Sequence, residues 1–185
     1  MKAGAAGYNG AMSTTRHRPR KRFGQNFLHQ TGIVNQIVSA IHPAPGDHLV
    51  EIGPGRGALT EMLSASGCRL DVIELDRDLV PGLLAAFSVN PKFRLHSADA
   101  LTFDFATLAE DARPLRVVGN LPYNISTPLI FKLLASTALI RDMHFMLQLE
   151  VVDRLAAKPG NRNWGRLGIM TQYLCQVEKL FEVPP

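Results

Sequence analysis

From Asp47 onward, short β-prone runs alternate with stretches of helical spacing, and this alternation constrains the fold more than any other feature of the chain. The strand-like runs are His48–Ile52, Arg69–Glu74, Phe93–Ser97, Leu115–Gly119 and His144–Gln148. Helical spacing falls between and after them, over Ala58–Ser66, Arg77–Phe87, Phe105–Ala109, Thr127–Ser136 and Glu150–Ala157, and around Gly168–Cys175. Such a repeat predicts an α/β fold: a mostly parallel sheet with helices on both faces. Right-handed crossovers would bring every strand C-terminus to one edge, where sheets of this kind bind ligands. Gly53, Glu74, Asp99 and Asn120 all sit at predicted strand ends, so that single edge would collect them. Upstream, Ile33, Val34, Ile37, Val38 and Ile41 recur at helical spacing after Thr31, a candidate cap, and Pro43 and Pro45 close that helix.

Charge is unevenly placed. The first 46 residues hold six basic side chains and no acid, whereas the remainder holds 14 basic against 16 acidic ones. Residues 1–22 therefore read as a flexible basic arm, and 23–185 as one domain. In the arm, Arg20, Lys21 and Arg22 suit phosphate contacts that release counterions. No apolar run is long enough for a membrane span, and no apolar leader opens the chain. Cys68 and Cys175 are far apart and read as reduced, and the six histidines show no metal-ligand spacing. A cytoplasmic protein without membrane or metal is expected.

Three predicted strand ends carry the chemistry. In Gly53-Pro54-Gly55-Arg56-Gly57, glycines allow a tight turn and the close approach of a ligand, with a helix N-terminus behind. Read through Ala58, the turn also fits a dinucleotide fingerprint, so it does not separate nicotinamide from S-adenosylmethionine. Glu74, about twenty residues on, can accept from a ribose diol in either cofactor. Asp99 can accept from an adenine amine, although capping the following turn is a comparable use.

Asn120-Leu121-Pro122-Tyr123 distinguishes between the cofactors. An aryl amine is a poor nucleophile because its lone pair is delocalised into the ring. If the Asn120 side-chain oxygen and the Leu121 carbonyl accept its hydrogens, with Pro122 fixing the turn, the nitrogen can pyramidalise toward an electrophilic methyl. Tyr123 can stack on the base. A hydride-transfer enzyme has no use for this set. In the later loop, Arg162 and Arg166 flank Trp164 and can add phosphate contacts.

These residues resemble the family of ribosomal RNA small-subunit adenine dimethyltransferases. The matching segments include 20–28 (Arg-Lys-Arg-Phe-Gly-Gln-Asn-Phe-Leu), 50–60 around the glycine turn, 73–79, 99–101, 119–128, 146–148, 150–155, 165–167 and 183–185, and the resemblance covers about residues 20–185. It implies a Rossmann-like S-adenosylmethionine-dependent methyltransferase that dimethylates two adjacent adenines in the 3′-terminal hairpin of small-subunit ribosomal RNA, within an immature ribosomal particle. The family's cofactor contacts fall on Asn26, Leu28, Gly53, Gly55, Glu74, Asp99 and Asn120, and its amine-gripping set on Asn120 through Tyr123. Leu149 stands where the family usually has lysine. The resemblance also implies a last sheet strand and a helical domain past Val183-Pro184-Pro185, so the chain reads as a catalytic domain incomplete at its C-terminus. Three alternatives remain at this level: a large-subunit rRNA adenine methylase conferring antibiotic resistance, a nicotinamide-dependent oxidoreductase, and a non-catalytic RNA-binding assembly factor.

Overall fold

The computed structural model describes residues 31–111 and 113–183. Asn26, Leu28, Arg20, Lys21 and Arg22 lie outside them. Five strands, β1 (His48–Ile52), β2 (Arg69–Glu74), β3 (Phe93–Ser97), β4 (Leu115–Asn120) and β5 (Ile140–Met146), form one sheet in the order β3-β2-β1-β4-β5. All four pairings are parallel. Six helices accompany them: α1 (Thr31–Ile41), α2 (Ala58–Ala65), α3 (Val80–Phe87), α4 (Tyr123–Leu134), α5 (Leu149–Leu155) and α6 (Arg166–Leu174). No helix among the described residues is long and apolar enough to cross a membrane.

A parallel sheet needs cover on both faces, and alternate strand residues supply two cores. Val50, Ile52, Ile73 and Val117 pack with Leu129 and Leu133 of α4 and with Phe105 and Leu108. Leu49, Leu70, Val72 and Val118 point the other way, against Val34 and Ile41 of α1 and Leu59 and Leu63 of α2. The helix after β1 and the helix after β4 thus leave to opposite faces. Strand order reverses between these two neighbours, which opens a crevice at their C-terminal ends.

The predicted strands and helices are present, with four boundary corrections. β5 starts at Ile140, not His144, because Arg141, Asp142 and His144 interrupt the apolar signal. The α4 helix starts at Tyr123, not Thr127, and carries Pro128 inside it. Pro122 (φ −67°) ends the strand, and its carbonyl accepts from Ile125 and Ser126 N–H at 3.2 Å, so helical turns begin there. Phe105–Leu108 is a 3-10 turn, started by Ala106 N–H donating to Asp104 Oδ1 at 3.0 Å. The α3 helix begins at Val80, after a turn over the predicted first residues.

Two buried charge networks hold the N-terminal half of the sheet. Asp71, fully buried on β2, accepts from His48 and His96 at 2.6 Å and from Arg94 at 2.9 Å. Burial alone would raise its pKa, but these donors outweigh it and hold the carboxyl well below the usual carboxylate range. On the other face, the Arg116 guanidinium donates to Asp47 (2.6 Å), Asp142 (3.0 Å) and the Ile41 carbonyl (2.6 Å). It ties β1, β4, β5 and the exposed carbonyls of the α1 C-terminus together. Arg116→Met should lower unfolding free energy by about 3–5 kcal/mol, because it leaves buried Asp47 without its main partner. A urea titration would show a lower midpoint at unchanged slope.

Candidate active site

The glycine turn lies between β1 and α2. Gly53, Gly55 and Gly57 have φ of 66°, 60° and 87°, in the left-handed region where a Cβ is strained. Gly53 N–H donates to the Ile73 carbonyl at 2.9 Å, so β2 anchors the turn. A Cβ on Gly53 would meet nothing within 4 Å, which leaves its outer side open to a ligand. A Cβ on Gly57 would lie 2.7 Å from the Phe87 ring, so that glycine serves helix packing.

Glu74 ends β2 and is 5% exposed. Its Oε1 accepts from Asp76 N–H at 2.7 Å and its Oε2 from Gly55 N–H at 3.3 Å. The carboxylate is thereby fastened to the glycine turn. Burial raises its pKa, and these two backbone donors partly offset the rise. Asp99 follows β3. Its Oδ1 accepts from Leu101 N–H at 2.8 Å and its carbonyl from Thr102 and Phe103, so it caps a turn while its other carboxylate oxygen accepts from no other described residue.

Asn120 is the last residue of β4, in register with Met146 of β5. Leu121 N–H donates to the Met146 carbonyl at 3.1 Å, and the Leu121 side chain is 2% exposed in the core. One hydrogen bond and one buried side chain therefore fix the corner between strand and helix. Tyr123 follows with its side chain 61% exposed, free to meet a planar partner. Gly119, just before, pairs with Ile52, and a Cβ there would come within 2.6 Å of the Ile52 carbonyl. Its missing side chain lets the two strand ends lie close together.

Gly53, Gly55, Gly119 and Asn120 share the wall of a cavity of about 780 Å³ that continues along β5 to residues 174–183. Glu74 and Asp99 lie outside that wall, on the β2–β3 side of the glycine turn. Arg162 and Arg166 are exposed, in the loop before α6 and on its first residue, and do not line the cavity. Sequence reasoning assigned no role to Glu51, which does line it. Glu51 is 2% exposed, and its Oε2 accepts from Thr60 Oγ1 at 2.7 Å. A lone charge inside the apolar strand His48–Ile52 was the available signal. Burial pushes its carboxyl from the ordinary 4.5 up to about 7, with the nearby Glu74 adding and the Thr60 hydrogen bond opposing.

A parallel sheet with this strand order, a glycine turn after β1, an acid ending β2 and an Asn-Leu-Pro-Tyr corner after β4 define a Rossmann-like methyltransferase. Two solved structures share the architecture. A dimethyladenosine transferase from Plasmodium falciparum superposes with a TM-score of 0.72 at 27% identity, over 82% of this chain and 54% of that one. The 23S rRNA methyltransferase ErmE superposes at 0.68 and 27%, over 80% and 57%. Residues 16–185 match the family model described as ribosomal RNA adenine dimethylase, and the chain belongs to that family. It is 64% identical over 169 residues to the ribosomal RNA small subunit methyltransferase A of Pseudomonas syringae pv. syringae. It is 66% identical to the protein of that name from Saccharophagus degradans. Each alignment covers 91% of this chain and 63% of the relative.

The folded state retains the Glu51 proton between about pH 4.5 and 7, whereas an unfolded chain releases it. The stability contributed by this group therefore falls as pH rises through that window. Glu51→Gln should gain stability relative to the parent as pH rises from about 5 to about 8, which paired urea midpoints would reveal. An equal difference at both pH values would mean that Glu51 ionises normally in the fold.

Proposed function

We propose that this chain is the catalytic part of an enzyme that dimethylates the exocyclic amines of two adjacent adenines in the 3′-terminal hairpin of small-subunit ribosomal RNA. The observation that carries this reading is the Asn120–Tyr123 corner, held beside the glycine turn where the strand order reverses. Family membership and the names of the similar small-subunit methyltransferases support the choice of RNA. On this reading residues 23–185 form the catalytic domain, and residues 1–22 are a basic arm for RNA backbone. The substrate is presented in an immature ribosomal particle, so the enzyme works in the cytoplasm.

The residues present suit S-adenosylmethionine. Glu74 is a buried carboxylate whose oxygens each keep a lone pair for a ribose diol. The open side of Gly53 accommodates a chain passing over the turn, and the second oxygen of Asp99 suits an adenine amine. The family resemblance adds Asn26 and Leu28 to the residues that would contact the cofactor. When bound, the cofactor supplies an electrophilic methyl group on a sulfonium.

At the acceptor, the Asn120 amide oxygen and the Leu121 carbonyl take the two N–H donors of the base. That holds the amine pyramidal, with its lone pair directed along the crevice. Tyr123 stacks on the ring, a contact worth about 1–3 kcal/mol per base. The nitrogen is strongly acidic once alkylated, so its proton passes to water and no strong base is required. Positioning supplies the rate, up to about 7–11 kcal/mol. An adenine in a hairpin loop is cheap to unstack and fits this demand.

The likeness to ErmE supports a second reading, in which the acceptor adenine lies in large-subunit RNA. Tritiated methyl transfer to immature small subunits, with large subunits in parallel, tests both. Label in the small subunit is expected, and label confined to the large subunit would transfer the assignment to the second reading. Asn120→Ala should cut turnover by about 2.7–4 kcal/mol, by analogy with removing one transition-state hydrogen bond. Glu74→Ala should raise the cofactor Kd more than it lowers the saturated rate, measurable by calorimetry beside single-turnover assays. A non-catalytic assembly factor would show no methyl transfer for either change to reduce.

A further inference from the structure

Most cations among the described residues are already committed. Arg69, Arg94, Arg113, Arg116 and Arg141 are held by carboxylates. Lys92 and Lys132 donate to backbone carbonyls, and Lys179 donates to Glu182. Arg77, single and flanked in the chain by Asp76 and Asp78, is also unpaired among the described residues, whereas Arg154, Lys158, Arg162 and Arg166 form a group. All four are exposed, and none has a hydrogen bond or ion pair to another described residue. They fall within one stretch, 154–177, that contains no acid, in a body whose acids otherwise outnumber its bases.

The elements that carry these four side chains are packed on one another. Gly168 of α6 packs so closely on α5 that a Cβ there would lie 2.5 Å from the Arg154 carbonyl. Gln172 Nε2 donates to the Leu155 and Ala157 carbonyls at 2.7 and 2.8 Å, which locks α6 onto the end of α5. The intervening loop is wound on itself. Asn161 N–H donates to the Lys158 carbonyl, Trp164 N–H to the Asn161 carbonyl, and Asn163 N–H to Asn161 Oδ1. Its cations are therefore presented by an ordered backbone, which lowers the entropy lost on binding. Arg154 also favours the C-terminus of α5 as a cation in the last turn, which leaves its guanidinium outside.

We propose that the α5–α6 ridge binds the phosphate backbone of the RNA at a site separate from the acceptor corner. This rests on the RNA reading given above and adds where the affinity arises. Continuity with the acceptor corner argues for RNA as the occupant: the Met146 carbonyl holds Leu121, and α5 leaves directly from that end of β5. The seven residues of α5 span about 10 Å at 1.5 Å per residue. That equals roughly three charges at about 3.4 Å per phosphate along one duplex strand. On this proposal an RNA with its adenine at Tyr123 lays a neighbouring stretch of backbone along α5. The ridge contacts phosphates and reads no bases, so its contribution is independent of sequence and sensitive to salt.

The test is RNA-hairpin binding by fluorescence anisotropy across a salt series. A variant with Arg154→Gln, Lys158→Gln, Arg162→Gln and Arg166→Gln is compared with the parent. Each lost phosphate contact should lower the slope of log K against log salt by about 0.7, giving a total near 3. Heat of S-adenosylmethionine binding should be unchanged, which shows that the fold and cofactor site persist. The loop pair alone, Lys158→Gln with Arg162→Gln, should give about half the loss and is free of helix-packing effects. Arg113→Gln, which removes a cation already paired with Asp111 at the opposite edge, should leave the slope as it was. An unchanged slope in the loop pair, with the parent binding RNA normally, overturns the ridge and leaves the proposed function standing. A parent that binds no hairpin RNA at any salt overturns both.

Discussion

The site depends on the parallel pairing of β1 with β4. Ile52 lies opposite Gly119, so the residues that follow them, Gly53 and Asn120, leave the sheet side by side. The spacing tolerates no side chain at Gly119, because a Cβ would come within 2.6 Å of the Ile52 carbonyl. The glycine turn and the Asn-Leu-Pro-Tyr corner are separated by 66 positions in the chain, from Gly53 to Asn120 exclusive. They become neighbours through this one register. The helices after the two strands then leave to opposite faces, and the crevice between them follows from topology.

The two ends of the sheet divide the work. At the N-terminal end, buried charges are fully engaged: Asp71 by two histidines and Arg94, Arg116 by Asp47, Asp142 and the end of α1. Such networks hold strands in place because an uncompensated charge there would be costly. At the C-terminal end, polar groups keep capacity in reserve. Glu74 and Asp99 each use backbone N–H donors to fix their orientation and retain lone pairs, while Glu51 sits on the cavity wall with a raised pKa. Binding capacity is concentrated where structural demands are lightest.

Affinity and chemistry are likewise separated. The residues proposed to handle the reacting amine stand on a strand tip fixed by the buried Leu121 and the Met146 carbonyl. Most of the cations unpaired among the described residues stand on α5, α6 and the ordered loop between them. On the proposed reading, backbone contacts on the ridge strengthen RNA association without distorting the corner that aligns the acceptor.

Hydrophobic runs of strand length, helical spacing between them and the glycine turn were enough to establish a parallel sheet and its binding edge from the sequence. The same local patterns placed Gly53, Gly55, Glu74, Asp99 and Asn120 at strand ends, because backbone preference and side-chain alternation act over a few residues. The start of β5 and the role of Glu51 were not legible. In β5, Arg141, Asp142 and His144 look unlike a strand until the facing Asp47 and Arg116 are known. Glu51 acquires its raised pKa from burial and from a neighbour 23 positions away, Glu74. Only the tertiary structure decided which cations were free, since pairing depends on distance in space, which residue order along the chain does not encode.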